Sequence, residues 1–230
     1  MNKAFSISIA ILLPFILLMA GVRLIMTPSF PQLEYARPGF PADPFGMSTA
    51  ERNKWSAYAV NYLVNDAEIS YLGKLKFADG GPLYAPSELE HMVDVKEVVQ
   101  GALTVWYLCL GIAFALSFWL LIQGQWRLLR RGINMGGWLS MGLIALMLLY
   151  LAFNFNSLFD QFHRIFFQEG SWVFNYSDTL IRLFPLEFWR DGFILAGAFT
   201  FFAGGLLVLL TRGRRKVRPA GLNPVPPTGY

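Results

Sequence analysis

The chain has 230 residues, of which 55% are hydrophobic, 16% aromatic and only 15% charged. A water-soluble domain carries about a quarter charged residues, so this composition excludes one, and the length leaves room for one or two compact units. The net charge of +4 is not a nucleic-acid footprint, because Arg127, Arg130, Arg131, Arg212, Arg214, Arg215, Lys216 and Arg218 all sit beside apolar runs, as the positive-inside rule requires.

Four runs without an ionisable side chain meet the length of about 20 apolar residues that a bilayer core needs as helix. They extend from Ala4 to Val22, Val98 to Trp126, Gly132 to Phe159 and Gly192 to Thr211. They predict spans at about 4–26, 98–123, 135–159 and 190–211, within one membrane domain over 1–218. The first run starts after Lys3 and is too long for the apolar part of a signal peptide, with no small-residue cleavage site behind it, so it reads as an uncleaved anchor. The fold class is therefore an all-α integral membrane protein with four transmembrane helices.

The short loop GQWRLLRRGIN and the tail RGRRKVR are strongly basic, which sets both in the cytoplasm. Four spans then return the N-terminus to the same side and leave segments 27–97 and 160–191 extracytoplasmic in a multi-pass plasma-membrane protein. The first of these segments opens on TPSFPQLEYARPGFPADPFG, where the prolines predict an extended loop. Ser48 to Glu51 has capping-box spacing and opens a helix with Trp55, Tyr58, Ala59, Tyr62 and Leu63 on one face, either interfacial or packed on the protein's own core. A hairpin is predicted around Asp79, Gly80 and Gly81, completing a small helical and hairpin insertion between the first and second spans. Ser87 to Glu90 repeats the capping-box spacing at the start of a helix that runs into the second span. The Pro- and Gly-rich stretch 219–230 reads as a disordered cytoplasmic tail. The lone cysteine, Cys109, sits in an apolar run as a small hydrophobe, with no partner for an intramolecular disulfide.

None of the four apolar runs contains Asp, Glu, Lys, Arg or His, which disfavours a pump or an ion channel and moves any chemistry to an interface. The only two histidines are His91, entering the second span, and His163, just past the end of the third. The topology puts both at one depth on the extracytoplasmic side. Asp94 follows His91 by three residues and Asp160 precedes His163 by three, so each imidazole can share a helix face with an orienting carboxylate. Those acids serve equally well as surface charges at helix ends. A zinc site built from His91, His163 and a carboxylate among Glu88, Asp94 and Asp160 would make the protein a metal-dependent membrane hydrolase. A non-enzymatic protein that binds lipid or a partner at its outer face is the remaining alternative.

The stretch FDQFHRIFFQEGSWVFNYSDTLIRLFPLEFW, from Phe159 to Trp189, resembles the bacterial lipoprotein intramolecular transacylase family. The pattern F-H-x-x-F-F, then Trp172, then D-x-L-I-x-L-F-P from Asp178 to Pro185 carries the resemblance, with ELEHMVDVK from Glu88 to Lys96 as a second signature. The resemblance implies a membrane acyltransferase that moves the sn-2 acyl chain of a diacylglyceryl-cysteine lipoprotein to its own α-amino group, giving an N-acylated lyso-form. It implies His163 and His91 as the active site, diacylglyceryl-modified lipoproteins in the outer leaflet as substrate, membrane lipids as surroundings, and no cofactor or metal. The second histidine, Lys96 and Arg164 are candidate oxyanion donors, and Phe159, Phe162 and Phe166 candidate walls of an apolar site. Catalysis by the pair requires imidazoles within roughly 10 Å of each other, lining a cavity open to the outer leaflet.

Overall fold

Long apolar runs with few breakers become long helices, because in lipid each backbone N–H and C=O must find its partner within the segment. The computed structural model describes residues 2–212, and the expected disordered tail 219–230 lies outside them. Among the described residues there are eight helices: α1 (Asn2–Ile25), α2 (Ser29–Ala36), α3 (Thr49–Val64), α4 (Ser70–Gly73), α5 (Pro86–Ile122), α6 (Trp126–Phe166), α7 (Thr179–Leu183) and α8 (Leu186–Thr211). Four of them, α1, α5, α6 and α8, are long and apolar enough to cross a membrane. The 37 residues of α5 and 41 of α6 make rods of about 55 and 60 Å, well beyond a hydrocarbon core of about 30 Å. Both helices continue past their spans at the same end, and each histidine rides on one of those extensions.

The centre of the bundle is formed by α1, α6 and α8, which meet through small residues. On α6 the buried positions include Gly132, Gly136, Gly137 and Ser140, and on α8 Gly192, Ala196, Thr200 and Gly204, each set spaced by about four residues. Lipid tails offer no hydrophobic drive between helices, so association rests on close backbone approach, which small residues permit. A Cβ added to Gly137 would stand 2.7 Å from the Gly204 carbonyl oxygen, and one added to Gly132 2.6 Å from the Ser6 carbonyl oxygen. The buried hydroxyls of Ser140 and Thr200 donate within their own helices, to Gly136 O at 2.7 Å and Ala196 O at 2.8 Å. By contrast α5 lies at the edge, anchored to α1 by Trp106 Nε1–H donating to Ile16 O at 3.0 Å, and it exposes Val105, Leu108, Ile112, Phe114 and Phe118.

The remaining helices form a cap over one end of the bundle, with a core of its own. Trp55, Ala59 and Tyr62 of α3 pack with Leu72, Leu83, Tyr84, Met92, Leu180 and Leu183, so the aromatic face of α3 belongs to the protein interior rather than to the lipid surface. Its start is as expected: the Ser48 hydroxyl accepts from Glu51 N, and the Glu51 carboxylate accepts from Ser48 N at 2.9 Å. The hairpin survives only as an isolated antiparallel bridge between Lys76 and Pro82, closed over Gly80 at φ +87°. Two expectations are corrected. Residues 29–36 are helical rather than extended, because Pro31 falls in the first turn, where its missing N–H costs nothing. Helix α5 begins at Pro86 with Ala85 as its N-cap, so Ser87 is inside the helix and Glu88, not Glu90, folds back on the cap.

Candidate active site

His163 lies on the far segment of α6, beyond Asn154, whose backbone (φ −153°, ψ 58°) leaves the helical region and kinks the helix. Gln161 braces that bend by donating to Ser157 Oγ at 3.0 Å and Tyr150 Oη at 3.2 Å. His91 lies in the second turn of α5, with Met92 beside it buried in the cap core. The two rings stack with centroids 6.4 Å apart and planes 20° from parallel, inside the separation that joint action demands. Phe167 and Phe174 present their edges to His91 at 5.0 and 5.3 Å. Phe159 and Trp172 cover His163 at 4.1 and 4.9 Å. The pair therefore sits in an aromatic enclosure, with His91 only 8% exposed.

Burial sets the charge state. His91 is pushed down to about 4, first by desolvation and then by the neighbouring His163, against the opposing pull of Asp94. His163 is also lowered by desolvation, opposed by its contact with the Phe159 carbonyl and by Asp160. Both imidazoles are consequently neutral at pH 7. The ring orientation fixes one tautomer: His163 Nδ1 lies 2.8 Å from Phe159 O, and a carbonyl only accepts, so Nδ1 carries the proton. The lone pair is then on Nε2.

The expected supporting residues are placed elsewhere. Asp160 pairs with Arg164 at 2.9 Å rather than with an imidazole, and Arg164 also reaches Glu169 at 3.6 Å on the exposed side of the helix. Lys96 donates to Ala67 O at 2.6 Å and covers the Tyr62 ring at 4.1 Å, tying α5 to the loop after α3. Asp94 is exposed and acts on His91 through its field alone. The reason is shared: residues three or four apart on a helix can meet, but a charged end finds water or another charge more readily than a ring facing the interior. Of the three phenylalanines, Phe159 packs at a tilt on His163 and Phe162 meets its edge at 5.7 Å, whereas Phe166 packs on Phe162 at 4.9 Å.

Glu88, one of the carboxylates considered as a zinc ligand, has another task. It is 2% exposed, and its two oxygens accept from Ala85 N and Leu180 N, each at 2.7 Å. One side chain thus caps α5 and, across the fold, the start of α7. Thr179 adds a hydroxyl bond to Leu83 O. These bonds fix the far end of the segment 167–178, which carries Phe167, Trp172 and Phe174 onto the histidines. Among the described residues no three His, Cys, Asp or Glu side chains converge in a metal-ligand geometry. The sequence does hold a signal for the true helix start, Pro at N1 with Glu at N3, but the serine-based spacing beside it is the more conspicuous one.

A model of the lipoprotein intramolecular transacylase family matches residues 7–189. An uncharacterized protein of Aquifex aeolicus (strain VF5) is 31% identical over 214 residues, covering 92% of this chain and 94% of its own. The structure of the lipoprotein intramolecular transacylase of Bacillus cereus superposes with a TM-score of 0.71 at 20% identity, over 91% of this chain and 94% of that one. A second structure of that protein, carrying a histidine-to-arginine substitution, gives 0.69 at 20% identity over 92% and 90%. At such identity the superpositions speak for the fold, while the family model runs from the first span to the opening of the last and takes in both histidine segments. By that match this chain belongs to the lipoprotein intramolecular transacylase family.

Proposed function

We propose that His163 and His91 carry the acyl transfer of this membrane acyltransferase, moving the sn-2 acyl chain of a diacylglyceryl-cysteine lipoprotein onto the α-amino group of the same cysteine. The observation that supports this reading is the stacked, neutral histidine pair within one aromatic enclosure. An α-amino group has a pKa of about 7.7–8.0, so a modest base makes it a nucleophile. His163 offers Nε2 to that proton. Desolvation lowers the pKa of His163, so the imidazolium so formed returns the proton to the glyceryl oxygen as the ester bond breaks. Attack within one substrate molecule gains from proximity, so few catalytic groups suffice.

The same reading sets the termini in the cytoplasm and the histidines at the outer-leaflet interface, where the substrate's glyceryl ester lies. Its support is the basic end of the bundle, where Arg127, Arg130, Arg131 and Arg212 gather opposite the cap. Incubation of the purified protein with a synthetic diacylglyceryl-cysteine peptide, read by mass spectrometry, tests the chemistry. His163→Ala and His91→Ala should each slow formation of the lyso-form by about 10²- to 10⁴-fold, the usual contribution of general acid–base catalysis. Wild-type turnover by both folded variants would return the histidines to a structural role.

A further inference from the structure

We infer that Trp172 is a catalytic residue that donates its indole N–H to the oxyanion of the tetrahedral intermediate, an assignment that rests on the acyl-transfer reading above. Trp172 Nε1 is buried and has no hydrogen-bond acceptor, although the indole lies against His163 with ring centroids 4.9 Å apart. A buried donor left unpaired is costly, and native proteins keep few of them. Trp55 Nε1 is likewise unpaired, but its ring belongs to the cap core beside Tyr58, while within the aromatic enclosure His91 Nδ1 is another unpaired buried atom. At Trp172 the unmet donor belongs to a ring packed on the imidazole that would take the amine proton.

The reaction supplies the missing acceptor. When the cysteine nitrogen bonds to the ester carbonyl carbon, the π pair of the C=O moves onto oxygen, which becomes an anion. That oxygen accepts from Trp172 Nε1–H until the pair returns and the bond to the sn-2 oxygen breaks. The amine proton passes through His163 Nε2 to the departing glyceryl oxygen, so charge and atoms balance. The two cations at hand do not compete, since Lys96 and Arg164 are held by Ala67 and by Asp160 and Glu169. The donor is also preorganised. Its segment turns at Gly170, with φ +88°, and is anchored where Glu88 caps α7. Donors fixed before the charge develops are the ones that lower a barrier.

Replacing Trp172 by 3-benzothienylalanine exchanges N–H for sulfur while keeping the ring system, and Trp172→Phe serves as a second variant. Turnover of the synthetic lipopeptide is measured beside wild type and His163→Ala, with melting temperatures as the check on folding. Each folded Trp172 variant should lose about 10²- to 10³-fold in kcat with KM nearly unchanged, the cost of removing one oxyanion donor. Wild-type kcat in the benzothienylalanine protein, or in Trp172→Phe if that alone folds, beside an inactive His163→Ala overturns the tryptophan assignment alone. A wild-type protein that forms no lyso-product overturns the acyl-transfer reading and the tryptophan's role with it.

Discussion

A histidine whose pKa is lowered by folding is a liability in acid. His91 is held down to about 4 because burial removes water from its charged form and His163 adds like charge when protonated. Its unfolded value is about 6.5, so between pH 6.5 and 4 the unfolded chain binds the extra proton. This contribution is neutral above pH 6.5 and becomes steadily destabilising as pH falls through that window, on the order of 3 kcal/mol in full. Melting temperature in detergent should therefore fall from pH 7 to pH 4.5 more steeply for wild type than for His91→Phe, which keeps an aromatic ring beside Phe167 and Phe174 but cannot ionise. Equal slopes would contradict the buried, neutral assignment. The histidines themselves are legible in the sequence, as the only two in the chain and both next to spans. The role of the neighbouring carboxylates stays open in the sequence, because helical spacing states what can meet and not which neighbour wins the charge.

At the level of elements, the bundle is held by shape. Helices α6 and α8 touch backbone to backbone at Gly137 and Gly204, and no side chain fits between them. Gly137→Ala would place a methyl 2.7 Å from the Gly204 carbonyl oxygen, which cannot retreat without moving the helix. Overpacking of this kind costs about 1–3 kcal/mol, so the variant should melt at a clearly lower temperature. Gly142→Ala, on the same helix, meets nothing within 4 Å and should be neutral or slightly stabilising. Equal melting temperatures for the two variants would mean that the close approach at Gly204 does not require a glycine at 137. The small residues at four-residue spacing are visible in the sequence, yet the pattern does not say which helix faces which. Helix α5 makes the complementary point: one side packs on α1 through Trp106, while Val105, Leu108, Ile112, Phe114 and Phe118 form an exposed apolar side of a kind that a bilayer accommodates.

For the whole molecule, the arginine end and the histidine end are separated by the length of the spans, and orientation follows from whichever is inside. In a Cys109→Ser background, a membrane-impermeant thiol reagent applied to intact cells should label Glu68→Cys in the cap and not Gln123→Cys between α5 and α6, both exposed positions. The reverse pattern would invert the protein and move the histidines away from the outer leaflet. The cap joins both loops: Arg182 of α7 pairs with Asp43 at 2.9 Å, and Tyr35 Oη donates to Leu183 O at 2.7 Å. Those bonds link segments about 140 residues apart in the chain, a closure that orders the loop carrying Trp172.

Sequence alone determined the number of spans, the placement of both histidines at one end and the helical class. Each of these depends on local composition, apolar length and the charge beside it, which a bilayer reads one segment at a time. Tertiary structure decided the rest: the 6.4 Å stacking of His91 on His163, the diversion of Asp160, Arg164 and Lys96 to other partners, and the capping of α7 by Glu88 from α5. These depend on which distant groups arrive within hydrogen-bond reach once the helices have packed. No spacing within a segment records that, because the competition among partners is settled only when water has been excluded and every buried donor must find an acceptor.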